Sequence, residues 1–350
     1  MSGDVKAGYM RPLDLRHGRV ELTHGSGGRA MVQLIRELFA RHLDNAHLAQ
    51  GNDGAVLPPA GGRLVTATDA HVVSPLFFPG GDIGRLAVNG TVNDVAVMGA
   101  TPLYLTAAFI LEEGFPLADL DRIAASMAEA ARAAGVAVVA GDTKVVERGK
   151  GDGVFIATTG VGVLSDGLRL SGDAARPGDA LLLSGPIGEH GMAILSQREG
   201  LGFDSPVASD TAALNGLTAA MLASAAELRL MRDPTRGGLA ATLNEIAQAS
   251  GVGILIDEAA IPVRPEVAAG CELLGLDPLN LACEGRLIAV CAAADAPRLL
   301  AAMRAHPLGA QAAVIGQVVE DARRFVQMRT RLGGVRMVDW LAGEALPRIC

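Results

Sequence analysis

Short runs of β-branched residues alternate with alanine-rich amphipathic segments along the whole chain. The run RLVTAT at 63–68 and the run GVFIATTGVGVL at 153–164 are typical of strands. The segment PLADLDRIAASMAEAARAAG at 116–135 repeats its apolar residues at helical spacing. No period of about 20 to 50 residues recurs, which excludes a solenoid. The sequence therefore predicts an α/β (α+β) protein.

A polar stretch rich in glycine and proline, SDGLRLSGDAARPGDA at 165–180, is the predicted domain boundary. With 350 residues, the chain is long enough for two domains that each have a core. A new strand, ALLLSGP, begins the second half. Further helices are predicted near 189–199, 208–227, 236–250 and 295–305. Further strands are predicted at VGILID, RLIAVC, AAVIGQVV and RFVQMRT.

Composition indicates which ligands the protein can bind and in which cellular compartment it is found. A net charge of −8 argues against a nucleic-acid partner, because binding phosphates over a large surface needs an excess of Lys and Arg. The polar opening lacks the apolar centre of a secretion signal, and no later run reaches the roughly 20 apolar residues of a membrane span. The four cysteines form no CxxC pair, so neither a disulfide framework nor a zinc site is indicated. We expect a cytoplasmic protein with free thiols and no membrane partner.

The chain ends in EALPRIC, which places a thiol, Cys350, on the last residue. A terminal cysteine has few neighbours, so a core role is disfavoured. The tail contains Gly343 and Pro347 and has no periodic apolar face. It is expected to be a mobile segment that enters a pocket and withdraws from it. The other cysteines, Cys271, Cys283 and Cys291, are expected to be small buried hydrophobic residues.

A glycine-rich segment, THGSGGRAM at 23–31, precedes an amphipathic helix. Its residues Gly25, Ser26, Gly27 and Gly28 offer backbone N–H groups that suit a phosphate. Most such segments are only turns, and no GKS or GKT follows, which excludes a Walker A loop.

Five aspartates follow or interrupt apolar runs, and a lysine and a glutamate accompany them. Any single one is most simply a cap or a turn residue. Asp94 lies in the apolar stretch LAVNGTVNDVAVMGA, where a carboxylate is costly unless it is paired or binds a cation. Magnesium with nucleotide phosphates would supply that partner. The aspartates are Asp53, Asp69, Asp94, Asp142 and Asp233.

Lys144 follows Asp142 by two residues in a predicted strand, so the two side chains share a face. They form either a simple salt bridge or a site where the lysine stabilises developing negative charge on a substrate oxygen. Glu284 in NLACEGRLIAV is either a turn acid or a general base.

The order of the motifs resembles the HypE family of hydrogenase maturation factors, within the ATP-binding superfamily of aminoimidazole ribonucleotide synthetase. The match runs from about residue 21 to the end and is highly specific. It divides the chain into an extension (1–20), an ATP-binding and dimerisation domain (21–168), an α/β domain (169–338) and a mobile tail (339–350). The motifs are HGSGGRAM, TDAHVVSPLFFPGGDIGRLAVNGTVNDVAVMGA, GDTKVV, DPTRGGL, CEGRL, HPLGAQAAVIGQVV and the terminal PRIC.

This resemblance implies a homodimer in which N-terminal strands of two subunits form one barrel, with ATP at the domain interface. It also implies a reaction, in which a carbamoyl group on the C-terminal thiol is dehydrated to a thiocyanate with cleavage of ATP. The product supplies cyanide to the iron of [NiFe] hydrogenase. The implied partners are the carbamoyltransferase HypF as donor and the HypC-HypD complex as acceptor.

The resemblance also assigns roles to residues. Cys350 would carry the group, Lys144 would stabilise the activated oxygen, and Glu284 would take protons. The adjacent Arg348 is expected to favour the Cys350 thiolate by its charge. Mg²⁺ and phosphates would be held by Asp53, Asp69, Asp94, Asp142 and Asp233, and the nucleotide would be contacted by Gly25, Ser26, Gly27, Gly28, Asn93 and Thr143.

Two positions depart from the family pattern. Asn52 precedes Asp53 where relatives often have a second acid, and Cys283 stands before Glu284 where a polar amide is expected.

Two alternative functions stay open. One keeps the fold and changes the substrate, as in selenophosphate synthetase or thiamine monophosphate kinase, although no cysteine precedes Cys271. The other is a non-catalytic thiol carrier whose tail is controlled by ATP.

Overall fold

A computed structural model of the chain describes residues 12–26, 28–50, 52, 54–200, 207–340 and 348–350. Two predicted site residues, Gly27 and Asp53, lie outside the described residues. So do residues 1–11 of the predicted extension and residues 341–347 of the predicted tail.

The first half of the chain builds a four-stranded sheet with the order β1-β6-β4-β5. Strand β6 pairs antiparallel with β1 and β4, and β5 pairs parallel with β4, so β1 and β5 are its edges. The short strands β2 and β3 form a separate hairpin. The strands are β1 (Arg63–His71), β2 (Phe77–Phe78), β3 (Gly81–Asp82), β4 (Thr101–Glu112), β5 (Ala137–Val146) and β6 (Val154–Leu164).

Helices cover one face of this sheet. They are α1 (Arg29–Leu34), α2 (Ala40–Leu43), α3 (Ile83–Val97) and α4 (Leu117–Ala134), and a π-helical turn at Ile35–Phe39 joins α1 to α2. Helix α3 packs against β6, β1 and α4. Its first N–H groups are capped by the carboxylate of Asp82, which accepts hydrogen bonds from Gly84 and Arg85. This cap fixes where the helix that carries Asp94 begins.

The second half builds a seven-stranded, mostly antiparallel sheet with the order β13-β12-β9-β11-β7-β10-β8. Its strands are β7 (Ala180–Leu183), β8 (Leu228–Arg232), β9 (Gly253–Asp257), β10 (Ile288–Cys291), β11 (Ala313–Val319), β12 (Val326–Arg329) and β13 (Val335–Met337). Its helices are α5 (Glu189–Arg198), α6 (Asn215–Ala223), α7 (Gly238–Ser250), α8 (Pro265–Leu274) and α9 (Ala296–Arg304).

The predicted α/β class is confirmed, and one predicted helix is much shorter than expected. The helix predicted near 208–227 covers only α6. Residues 208–214 form no helix because their polar groups bind elsewhere: the N–H of Ser209 donates to Pro79 O at 2.7 Å, and the N–H of Leu214 donates to Asn93 Oδ1 at 2.7 Å. Tertiary contacts therefore override helical spacing here.

Three cysteines lie in the cores, as predicted. Cys271, Cys283 and Cys291 are free thiols buried among apolar side chains. Within the described residues, no helix combines the length and the apolar character that a membrane crossing requires.

Candidate active site

A cluster of acids forms where the two halves of the chain meet. Asp69 lies near the end of β1, Asp94 lies on α3, Asp233 follows β8, and Glu284 precedes β10. Helix α3 brings them together, because it packs against β1 on one side and against α6 and β8 on the other.

Burial and mutual repulsion raise the pKa values of Asp94, Asp233 and Glu284. The pKa of Asp94 is raised to about 7 by burial and by the charges of Asp233 and Asp69. Burial is also the main reason why the pKa of Asp233 is raised to about 6. The pKa of Glu284 is raised well above its usual range, first by burial and then by Asp233 and its other acidic neighbours. A site that holds its carboxyls in this way favours a cation or a proton.

The end of the chain lies in this acid cluster. The Cys350 thiol is partly buried, and its pKa is raised first by burial and then by the negative charge of the neighbouring Glu284. The nearby charge of Arg236 opposes this shift. Arg348 does not support the thiolate, because its guanidinium forms a salt bridge with Asp152 at 2.5 Å. The docked sulfur is therefore held as a thiol.

Backbone contacts fix the three terminal residues. The N–H of Val72 donates to a terminal oxygen of Cys350 at 3.0 Å, and the N–H of Ser74 donates to Arg348 O at 3.2 Å. The side chain of Ile349 is buried in the N-terminal core. The described end of the predicted tail thus lies beside Glu284.

One residue from each half of the chain positions Glu284. Its backbone N–H donates to Asp210 Oδ1 at 3.0 Å, and its backbone carbonyl accepts from Asn93 Nδ2 at 3.2 Å. Asn93 also donates to Ala212 O. The Asn93 side chain is buried, and these bonds direct it to the C-terminal half.

The second group of predicted residues lies on β5. The Nζ atom of Lys144 is 2.8 Å from Asp142 Oδ2, and both side chains are more than half exposed. The shared face predicted from their spacing is confirmed. Thr143 between them is buried. A cavity of about 380 Å³ opens beside Asp142 and Thr143, between β5 and the helices α1 and α2.

The glycine-rich loop belongs to this second group. A short 3-10 helix, Leu22–Gly25, packs on β5. A Cβ on Gly25 would stand 2.5 Å from the backbone nitrogen of Val145, so this close approach requires glycine. The Ser26 hydroxyl donates to Thr23 O at 3.0 Å, whereas Gly28 has open space around its Cα.

The sheet register separates the two groups within one chain. Asp69 pairs with Thr158 on β6, which pairs with Ala107 on β4, which pairs with Gly141 on β5. Three strand spacings put Asp69 and β5 roughly 14 Å apart. Asp142 follows Gly141 and so points to the opposite, exposed face. One chain therefore does not bring Asp142 and Lys144 to the acid cluster.

Comparison with known proteins identifies the family. The chain matches the family models described as "AIR synthase related protein, N-terminal domain" over 51–164 and "AIR synthase related protein, C-terminal domain" over 176–329. It is 67% identical over 351 residues to the carbamoyl dehydratase HypE of Cupriavidus necator, covering 100% of both chains. The chain belongs to the HypE family of carbamoyl dehydratases.

Two solved structures of HypE proteins support this assignment. One is the hydrogenase maturation protein HypE in complex with ATP, 51% identical, with a TM-score of 0.91 over 94% of this chain and 99% of that one. The other is a HypE-HypF complex, 50% identical, with a TM-score of 0.77 over 88% and 99%. The family resemblance predicted from the sequence is thereby confirmed.

Several residues of this HypE-family site have no clear signal in the sequence. Asp210 positions Glu284 from 74 residues away, and His190 contacts Ile349 across 159 residues. His71 lies buried with its Nε2 atom 3.4 Å from Asp69 Oδ2. Only its place two residues after Asp69 on a strand, which predicts the same face, could have indicated His71.

Proposed function

We propose that this chain uses ATP to dehydrate a carbamoyl group carried on Cys350, leaving a thiocyanate on the sulfur. The observation that carries the proposal is the docking of the terminal thiol against Glu284 inside a cluster of acids. A group on this sulfur would lie within reach of the charges of Glu284 and Asp69. The cyanide would then pass to the iron of [NiFe] hydrogenase.

The reaction removes one oxygen and two protons from the carbamoyl group. Its oxygen attacks the γ-phosphorus of ATP, ADP leaves, and the nitrogen loses its first proton. Loss of the second proton then breaks the carbon–oxygen bond, phosphate departs with the carbamoyl oxygen, and a carbon–nitrogen triple bond remains on sulfur. Phosphorylation is needed because the oxygen of an amide is otherwise a poor leaving group.

Glu284 is the proposed acceptor of a nitrogen proton. Its charge acts on the sulfur that would bear the group, and Asp210 and Asn93 hold its backbone. A buried carboxyl with a raised pKa is a stronger base once it is ionised. Lys144 is proposed to stabilise the negative charge on the activated oxygen.

The acid cluster fits magnesium bound together with a nucleotide. Among the residues that the structure describes, no three His, Cys, Asp or Glu side chains converge closely enough to hold a metal alone. Mg²⁺ typically takes one or two carboxylates and completes its shell with phosphate oxygens and water. Asp69, Asp94 and Asp233 would hold the ion, which would relieve their repulsion and bind the phosphates. Asp53 stays a predicted ligand.

We propose a homodimer in which each active site takes Lys144 and Asp142 from the second copy. These side chains lie at the far edge of the sheet and on its exposed face, away from the acids of their own chain. The sheet has two edge strands, and an exposed edge usually finds a partner or a cover. Closing two such sheets into a barrel would remove both edges.

The thiol must leave this site to meet its partners. HypF is the proposed carbamoyl donor, since a HypE of half-identical sequence has been solved with HypF. The HypC-HypD complex is the proposed acceptor, and the cytoplasm the proposed compartment. Because docked Cys350 is partly buried, transfer to and from these partners requires residues 348–350 to undock.

Intact-protein mass spectrometry tests the proposed activity. Carbamoylated protein should lose the mass of one water when ATP is added, and Cys350→Ala should bind ATP but form no product. A non-catalytic carrier would keep the full carbamoyl mass. Unchanged mass in a protein that binds ATP would therefore contradict the proposal.

A further inference from the structure

The terminal residues are recognised through their backbone as well as through the thiol. The two bonds from Val72 and Ser74 hold one edge of the tail. The carbonyl between them, that of Ile349, faces the opposite way, into the protein. A buried carbonyl without a donor costs about 1–3 kcal/mol, so this atom needs a partner from the body of the protein.

That partner is His190 on α5. Its Nε2 atom lies 2.6 Å from Ile349 O, and its imidazole is fully buried. The ring of Phe78 packs edge-on against it, with centroids 5.4 Å apart. The ring therefore has little freedom to turn away from the tail.

A chain of hydrogen bonds fixes the tautomer of His190. A carbonyl only accepts, so Nε2 must carry the proton that it donates to Ile349. Nδ1 is then an acceptor, and it lies 2.8 Å from the hydroxyl of Ser209. The same hydroxyl oxygen accepts from the N–H of Thr211 at 3.1 Å. Burial lowers the pKa of His190 to about 4, which keeps the ring neutral.

The end of the same helix holds the next carbonyl. The guanidinium of Arg198 donates to Arg348 O and, at 2.5 Å, to Ser74 O. Helix α5 thus contacts two successive carbonyls of the tail, and Arg198 also contacts the segment on which the tail lies. None of these contacts involves the thiol.

We propose that His190 is a positioning residue for the reaction, whose Nε2–H holds the Ile349 carbonyl and thereby sets the sulfur of Cys350 at Glu284. Its effect on catalysis rests on the proposed dehydration. Its effect on docking does not, because the contact exists with an unmodified thiol.

Alkylation of Cys350 by iodoacetamide measures docking directly. The protein is kept at saturating ATP and magnesium, and modification of the C-terminal peptide is followed by mass spectrometry. His190→Ala should raise the rate at least about tenfold, the equivalent of about 1.4 kcal/mol. Ser196→Ala is the matched control, because it removes a buried hydrogen bond from the same helix without contacting the tail.

Two conservative variants separate positioning from a loss of packing. In His190→Gln the amide places a donor near the position of Nε2, so protection of the thiol should be largely restored. In His190→Asn the donor lies near the position of Nδ1 and is too short to reach Ile349 O, so protection should stay lost. ATP affinity should be unchanged in both variants.

The dehydration rate of carbamoylated protein should follow the same order. Wild type and Ser196→Ala should be fastest, His190→Gln slower, and His190→Asn and His190→Ala slowest. Equal rates of Cys350 alkylation in folded wild type and His190→Ala would overturn the inference. Equal rates in His190→Gln and His190→Asn would overturn it as well. If alkylation follows the order but wild type does not dehydrate, the proposed function fails and the docking role of His190 stands.

Discussion

Asp94 is a carboxylate in an unfavourable place, because it is half-buried on an apolar helix close to other acids. It lies on a helix whose neighbouring residues are almost all buried, and it faces two other carboxylates. The apolar sequence around Asp94 predicts this difficulty. Its neighbours Asp233 and Asp69 come from distant strands, so the sequence does not predict which acids raise its pKa.

Because of Asp94, the free energy of unfolding should decrease as the pH rises. Its pKa is about 7 in the folded state against 3.8 in the reference state, so the folded protein binds this proton more tightly. The contribution is fully lost as pH rises from about 4 to above 7. Thermal unfolding without magnesium or nucleotide should therefore show Asp94→Asn more stable than wild type at pH 8, by about 1–3 kcal/mol after allowance for partial exposure.

The difference between Asp94→Asn and wild type should vanish near pH 4. Asp166→Asn is the matched control, because Asp166 lies exposed in a loop. If Asp94→Asn is no more stable than wild type at pH 8, the inferred repulsion within the acid cluster does not destabilise the protein.

At the residue scale, the sequence shows the acids and the thiol but not what positions them. Asp94 and Cys350 stand out because an apolar stretch and a chain end are unusual places for their chemistry. His190 and Asp210 do not stand out, since each is explained only by a contact with a residue far along the chain. Such contacts depend on the packing of the two halves.

Helix α3 is the element on which the site depends. It contacts the first sheet through β6 and β1 and the second half through α6 and β8. Its close approach to β6 is possible because β6 has glycines at the contact. A Cβ on Gly162 would stand 2.4 Å from Val95 Cγ1 and 2.8 Å from Thr101 O.

We expect Gly162→Ala to destabilise the protein by about 1–3 kcal/mol, because the added methyl group must displace α3 or distort β6. It should also weaken ATP binding, since α3 carries Asp94. Gly172→Ala is the control, because a Cβ there meets nothing within 4 Å. Urea unfolding measures both variants, and equal midpoints for the two would show that α3 does not need this close contact.

Most elements could be predicted from local patterns. The alternation of β1, α4 and β6 and the later order of strands are as predicted. The helix predicted near 208–227 is not, because the polar groups of its first residues bind α3 and the segment around Pro79. Helical spacing records apolar periodicity and not this competition for hydrogen bonds.

In the whole molecule, the residues predicted to bind the nucleotide lie in two separate groups. The acids and the tail lie on the helix-covered side of the sheet, whereas Asp142 and Lys144 lie on the exposed side at the other edge. Sequence order does not reveal this, because a strand's place in the sheet and the direction of its side chains come from pairing. A site that uses both groups would need two copies of the chain, as in the proposed homodimer.

Mixed dimers test this arrangement. Lys144→Ala and Cys350→Ala homodimers should each be inactive in dehydration, after carbamoylation of the available thiols. If Lys144 acts across the dimer, each mixed dimer contains one complete site. Random mixing should restore about a quarter of wild-type activity, since about half of the dimers are mixed and each has one working site of two.

The mixed sample is assayed by thiocyanate formation on intact protein. Activity that stays at zero in verified mixed dimers would show that Lys144 acts on its own chain. Mixing Lys144→Ala with Lys144→Ala protein that carries a different affinity tag is the matched control for exchange.

Transfer of isotope from the tail to phosphate tests the central claim, that the docked thiol presents its carbamoyl group to the nucleotide. Cys350 is carbamoylated with oxygen-18 in the carbonyl, ATP is added, and the released inorganic phosphate is analysed by mass spectrometry. We predict one labelled oxygen in the phosphate for each thiocyanate formed. Label found in water, or retained on the protein while ATP is hydrolysed, would contradict the account.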